Sequence, residues 1–185
     1  MLSFKDFITE EDQPFSPNHV SVYPHGQGVD VGDNVPRGPA TQIPVNRASG
    51  NEPFKDPNWF KSPEKKPYMD KMQADIKSGK KMPPVMSIQS PWNSSHNVVV
   101  DGNHRLQAHK VAGVPTVSST NISHDDVHIM PNNYGEKNEG VPLSSFKEKD
   151  GSYDMHKPRP ELGGKALKHY FVQPDGQHSF DSPFK

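Results

Sequence analysis

The chain has 185 residues, with 21 Lys and Arg against 22 Asp and Glu, so one hydrophobic core is within reach and no global field draws it to nucleic acid or an anionic membrane. It has no cysteine, which excludes a disulfide framework, thiolate zinc sites and cysteine nucleophiles together. With 20 prolines and 14 glycines, the composition predicts a compact middle between long irregular arms. The start, Met1 to Glu10, is too short and too charged for a signal peptide, and no apolar run approaches the ~20 residues that span a bilayer.

Ser3 precedes Phe4, Phe7 and Ile8 at helical spacing, with Asp6 three residues on, the pattern of a short capped helix over residues 3–10. From Gln13 to Pro39 no period of 2 or 3.6 is sustained, and the stretch reads as a linker or extended arm. Thr41 to Val45 alternates as a brief edge strand, because Pro44 has no N–H to give a ladder. Phe54, Trp59 and Phe60 in the proline-broken run after Pro53 read as a cover over the core. Pro67 suits the first turn of a helix, and Tyr68, Met69, Met72 and Ile76 follow at helical spacing up to Ser78-Gly79, which predicts a helix over 67–78. Next come a strand over 84–88, a polar turn from Gln89 to Asn97, and Val98 to Val100 as a strand buried on both faces. Leu106, Ala108, Val111 and Ala112 predict a short amphipathic helix closed by Gly113, followed by a strand over 114–117. Ser123 reads as an N-cap, with Asp125 and Asp126 on the positive end of the turn after it. Beyond Met130 the signal fades up to Pro160, and the tail suggests a hairpin of Tyr170 to Val172 with Gln177 to Phe180. The expected division is an N-terminal helix and arm (1–40), a core (41–130) that folds without its arms, and an irregular C-terminal extension (131–185).

The chemistry concentrates where a buried strand runs through Asp101-Gly102-Asn103-His104-Arg105 into a helix. Gly102 lets backbone approach a phosphate, and a helix start offers unpaired N–H groups. Arg105 adds a planar, permanently charged fork, and His104 a donor or, when protonated, a charge. Asp101 can orient Arg105 or His104, hold a metal ion, or take a proton from a substrate hydroxyl. The bland alternative is a tight strand-to-helix turn with Asp and Asn as local caps. His109, four residues beyond Arg105, either faces the same phosphate or is a surface residue. Lys80-Lys81 forms a basic lip over the ligand or is merely solvated. His124 and His128 have the i, i+4 spacing of two ligands on one helix face, but no Glu base stands between them and no third ligand is in register, so they read as a solvated helix start. Trp59 and Trp92 either stack on a base or, the favoured reading, cover the core.

The span from Ile43 to Met130 resembles the ParB/sulfiredoxin-like fold, a small α+β class. The likeness lies in the entry strand, the helix ending in Ser78-Gly79, the Pro83-Pro84-Val85 strand and the stretch VVVDGNHRLQAHKVAGVPTV. The resemblance implies that Gly102 to Arg105, Asn103 included, wraps nucleotide phosphates and that Gly79 and Pro83 lie where base or ribose is held. The box is similar to the Asp-Gly-His-His-Arg box of free serine kinases on this fold, differing at Asn103, with Glu52 as the counterpart by position of an upstream acidic residue. Sulfiredoxin has a cysteine in its box, so sulfinic-acid repair is excluded here. ParB partition proteins carry a second arginine and a helix-turn-helix domain, and no such pattern follows Met130.

The resemblance implies a nucleotide ligand, CTP, ATP or ADP, with Mg2+ at Asp101, in a phosphoryl-transfer enzyme or nucleotide switch that uses Asp101 and His104. A second expectation, from the arm–core–arm composition, is a structural or docking protein of a tailed phage whose residues 1–40 and 131–185 meet a protein partner. A third is the nuclease activity with which members of the family are often labelled. DNA finds no support in the charge. The expected location is the host cytoplasm or the virion.

Overall fold

The structure is a computed structural model that describes residues 18–24, 28–51, 62–131 and 139–173. The helix expected over 3–10, Glu52, Phe54, Trp59, Phe60 and the second half of the tail hairpin lie outside the described residues. In chain order the elements are β1 (Val20–Val22), β2 (Val29–Val31), β3 (Ala40–Pro44), β4 (Ala48–Gly50), α1 (Lys66–Lys77), β5 (Val85–Gln89), β6 (Asn97–Asp101), α2 (Asn103–Ala112), β7 (Thr116–Asn121), β8 (Val127–Ile129) and β9 (Val141–Pro142). The architecture is α+β, as expected. A five-stranded mixed sheet has the order β3-β7-β5-β6-β4, and a four-stranded mixed sheet the order β2-β1-β8-β9.

Side chains alternate across a strand, and β6 uses both faces. Val98 and Val100 enter a core shared with Val20, Val22, Val127 and Ile129 of the smaller sheet and with Leu143, Phe146, Leu162, Leu167 and Phe171 beyond it. Val99 points the other way, into a cluster with Val85, Val117, Ile43 and Leu106 beneath α2. A third cluster joins Met69, Met72 and Ile76 of α1 to Ala108 of α2. Burying a valine in this way stabilises by roughly 1.5–3 kcal/mol, so β6 anchors both sides of the larger sheet.

The edge strand at Thr41 to Val45, the helix at 67–78 and the strands at 84–88 and 98–100 all form, within a residue or two of their expected bounds. β3 is indeed at an edge, and Pro44 is its last residue. In α2, Leu106 and Ala108 are buried as expected, but Val111 is 54% exposed.

Other readings need correction. The stretch from Gln13 to Pro39 is not an arm without strands, because β1 and β2 lie in it. All of β1 is buried, Ser21 included, and three residues buried together show no alternation. The strand expected over 114–117 runs instead from Thr116 to Asn121. Its continuation was hidden because Ser119, fully buried, meets Ser87 by a hydroxyl pair of 2.8 Å where an apolar pair would have been legible. Beyond Met130, β9 and short 3-10 turns at Leu143–Phe146, Pro160–Leu162 and Leu167–His169 supply core residues with too little regular structure to show a period. Tyr170 to Val172 is buried but is not a strand; Tyr170 O accepts a hydrogen bond from Asn51 Nδ2 at 3.3 Å. Ser123 does cap, accepting from Asp125 N at 3.2 Å, but the 3-10 turn ends at Asp126 and His128 is in β8, so His124 and His128 share no helix face.

The core on the Val98 and Val100 face draws on residues 20–22 and 143–172 as well as the middle. A chain cut to 41–130 would expose Met86, Ile88, Val98 and Val100, and is expected to melt without a cooperative transition in calorimetry. A sharp transition near that of the full chain would show that the middle folds without its flanks.

At the entry to β1, His19 stacks on His128, with ring centroids 3.8 Å apart and planes 13° from parallel. Burial, then the neighbouring His128, lowers the His19 pKa to about 4, with Glu139 opposing. Burial also lowers His96 and His124. Below about pH 6.5 the unfolded chain takes up protons that the native histidines refuse, so stability falls as pH drops from about 6.5 towards 4. The melting temperature should fall between pH 7 and pH 5, and His19→Gln should flatten that slope. A slope unchanged by His19→Gln would remove the stacked pair as its source.

Candidate functional site

β6 ends at Asp101, and Gly102 turns the chain into α2 with φ of 89° and ψ of 26°. Only glycine adopts this left-handed conformation without strain. A side chain there meets a second obstacle, since a Cβ would lie 2.6 Å from Arg105 Nη2 and 2.9 Å from Val85 Cγ1. The direction a side chain would take from Gly102 is therefore filled by the chain's own guanidinium and by Val85. Arg105 Nη2 donates to Pro84 O at 3.2 Å and to Asp101 Oδ2 at 3.3 Å, tying the turn to the start of β5. Its Nε is buried without an acceptor. Of the roles open to Asp101, the structure shows the orientation of Arg105; the carboxylate is itself 55% exposed. A pair this exposed contributes at most about 1 kcal/mol to stability.

Asn103 is buried against β4, where a Cβ on Gly50 would land on its side-chain oxygen. That oxygen has no hydrogen-bond partner. No side chain caps α2, and its first backbone bond runs from Leu106 N to Gly102 O at 3.0 Å, so Asp and Asn are not the caps of the bland reading. His104 meets the Tyr68 ring edge-on, with centroids 6.0 Å apart.

His109 is a buried residue and not a surface one. Its Nδ1 donates to Arg105 O at 2.8 Å, which leaves Nε2 of the neutral ring as an acceptor. With Gly79, Lys80, Lys81 and Pro83, His109 lines a cavity of about 410 Å3 between the end of α1 and β7. The structure thus brings Gly79, Pro83 and His109 together. Asp101, Gly102, Asn103, His104 and Arg105 do not line this cavity, and Arg105 is joined to it through its own carbonyl on His109. Lys80 is paired with Asp75 at 2.8 Å. Gln42, Thr116 and Ser118 also line the cavity; the sequence reading missed them because the β3–β7 pairing that sets them side by side is a long-range fact. Trp92 covers the core, its Nε1 donating to Phe171 O at 3.1 Å. Among the described residues no group of three or more His, Asp or Glu is placed to hold a metal ion, and no helix is long and apolar enough to cross a membrane.

No family model and no curated protein matches the chain. Among solved structures it is similar to the C-terminally truncated chromosome-partitioning protein ParB from Caulobacter crescentus complexed with CTP-gamma-S, at 20% identity and a TM-score of 0.39 over 48% of this chain and 47% of that one. It is also similar to sulfiredoxin from Arabidopsis thaliana, at 16% identity and a TM-score of 0.34 over 45% of this chain and 83% of that one. The chain thus matches about half the length of the ParB structure.

If Arg105 is what Gly102 makes room for, the two positions are coupled. Gly102→Ala should destabilise by about 1–3 kcal/mol from its backbone alone and by more from displacing the guanidinium. In an Arg105→Ala background the second part should vanish, leaving a coupling above about 0.5 kcal/mol in a double-mutant cycle by urea denaturation. Additive losses would show that the close approach at Gly102 is without energetic consequence.

Proposed function

We propose that the chain binds a nucleotide, with the base or ribose in the cavity beside His109 and the phosphates between Lys81 and the start of α2. The observation that carries this reading is a cavity of about 410 Å3 lined by Lys81 and His109, with His109 bonded to Arg105 O one turn nearer the start of α2, which no side chain caps. That volume is within the range of small-molecule sites, and an uncapped helix start favours anions. Arg105 adds a permanent positive charge at the turn, with its Nη2 bonded to Pro84 O and Asp101 Oδ2.

His109 bears on which part of the ligand it meets. With Nδ1 donating to Arg105 O, Nε2 of the neutral ring can accept, so it suits a base N–H better than a phosphate oxygen, and every nucleobase carries such a donor. This favours the base over the phosphates beside His109, with CTP, ATP or ADP as the proposed ligand. Mg2+ brought by the nucleotide would meet Asp101 only in competition with Arg105, and the same holds for Asp101 as a base in phosphoryl transfer. His104, on the first turn, is within the phosphate region of this proposal. The reading therefore commits to a nucleotide-binding switch, with phosphoryl transfer, nuclease action and protein docking by the flanks as alternatives.

Melting the full chain with CTP, UTP, ATP, GTP, ADP or free phosphate, each with and without Mg2+, tests it. A ligand that binds only the folded state stabilises by about 2.7 kcal/mol at a hundred times its Kd. At least one of CTP, ATP and ADP is expected to raise the midpoint, and Arg105→Ala to weaken its binding roughly ten- to a hundredfold. No shift with any nucleotide at millimolar concentration would end the nucleotide reading and leave docking as the better account.

A further inference from the structure

A second cavity, of about 540 Å3, shares no lining residue with the first. Three distant stretches build its wall: Gln89 at the end of β5, Asn121 to Asp125 from the last residue of β7 onward, and Ser144, Lys147 and Tyr153. At its centre His124 Nε2 bonds Gln89 O at 2.8 Å, and His124 Nδ1 bonds the Tyr153 hydroxyl at 2.6 Å. A carbonyl can only accept, so Nε2 carries the proton, and in the neutral ring Nδ1 is a lone pair. The Tyr153 hydroxyl must then donate to His124. Burial holds both groups neutral, lowering the pKa of His124 and raising that of Tyr153. With its one proton committed, Tyr153 can offer a ligand only the acceptor side of its oxygen.

The charges around this pair balance. Lys147 and Asp125 both line the cavity, and no ion pair joins them among the described residues. An anion is attracted by the lysine and repelled by the aspartate, and a cation the reverse. Ser144 and Asn121 add a hydroxyl and an amide that donate and accept, while the Ser123 hydroxyl is turned to Asp125 N and Oδ2. A ligand whose groups also do both, and which carries no net charge, answers such a wall, and the volume suits a small molecule.

We propose that this cavity is a second ligand site, for an uncharged polyhydroxyl molecule of sugar size, with one ligand hydroxyl donating to Tyr153 and others meeting Asp125 and Lys147. The site is independent of the nucleotide reading.

The test titrates the full chain with D-glucose, D-galactose and N-acetyl-D-glucosamine, and with glucuronate and glucosamine as charged counterparts, following the His124 ring resonances by NMR. At least one neutral sugar is expected to shift them saturably and to bind more tightly than either charged counterpart. Tyr153→Phe, which keeps the ring, should weaken that binding about tenfold, the loss of one hydrogen bond, and should leave CTP titrations as in the parent. Should Tyr153→Phe fail to fold, Ser144→Ala carries the same test with an expected loss of about fivefold. No saturable shift with any of the neutral sugars would overturn the proposal, as would tighter binding of a charged counterpart or parental affinity in the folded variant.

Discussion

The two-sided burial of β6 is the constraint on which the rest depends. Val98 and Val100 seal the face that the smaller sheet and the C-terminal turns cover, while Val99 and Leu106 seal the face beneath α2. The chain leaving Asp101 must therefore reverse into α2 within one residue, because Leu106 already has to reach the Val99 cluster. That requirement puts Gly102 into its left-handed conformation. The same reversal brings Arg105 back over the turn, where it bonds Pro84 O at the threshold of β5, the neighbour of β6. Core packing thus sets the geometry of the box, and the polar contacts follow from it.

What was legible in the sequence is what one segment can state by itself. Pro67 with Met69, Met72 and Ile76 specifies α1 through local propensity and a single apolar stripe. The run Val98-Val99-Val100 specifies a strand buried on both sides. Where two distant segments must meet, the signal is lost. Ser87 and Ser119 are polar letters that become core only in each other's company. β1 is too short to alternate, and Leu143, Phe146, Leu162 and Leu167 are spaced by turns that have no period of their own.

The candidate site divides along the same line. The turn at 101–105 was legible as a place where chemistry concentrates, but residue types alone cannot say whether a group faces a ligand or the chain. Gly102 and Asn103 serve the packing of the turn: the glycine yields to Arg105 and Val85, and the asparagine fills the room left by Gly50. Arg105 braces the turn to β5 through Nη2, and its Nε is buried without an acceptor. His109 was read as a phosphate contact or a surface residue; it is buried, and its Nδ1 donates to Arg105 O. Its hydrogen-bonding sense follows from that one backbone contact and is invisible in the letters.

A net charge of -1 hides a local division of chemistry. The cavity at the end of α1 carries Lys80 and Lys81 with no acidic lining residue, while the cavity at His124 sets Lys147 against Asp125. In the first, Lys80 is already paired with Asp75, which leaves Lys81 to attract an anion over the few ångströms of a contact. In the second, opposing charges leave hydrogen-bond direction as the means of discrimination, and there the His124–Tyr153 pair fixes one direction outright. Each histidine owes its sense to a main-chain carbonyl, Arg105 O for His109 and Gln89 O for His124. Because those carbonyls belong to α2 and β5, the hydrogen-bonding character of both cavities is set by the same sheet and helix that β6 holds together.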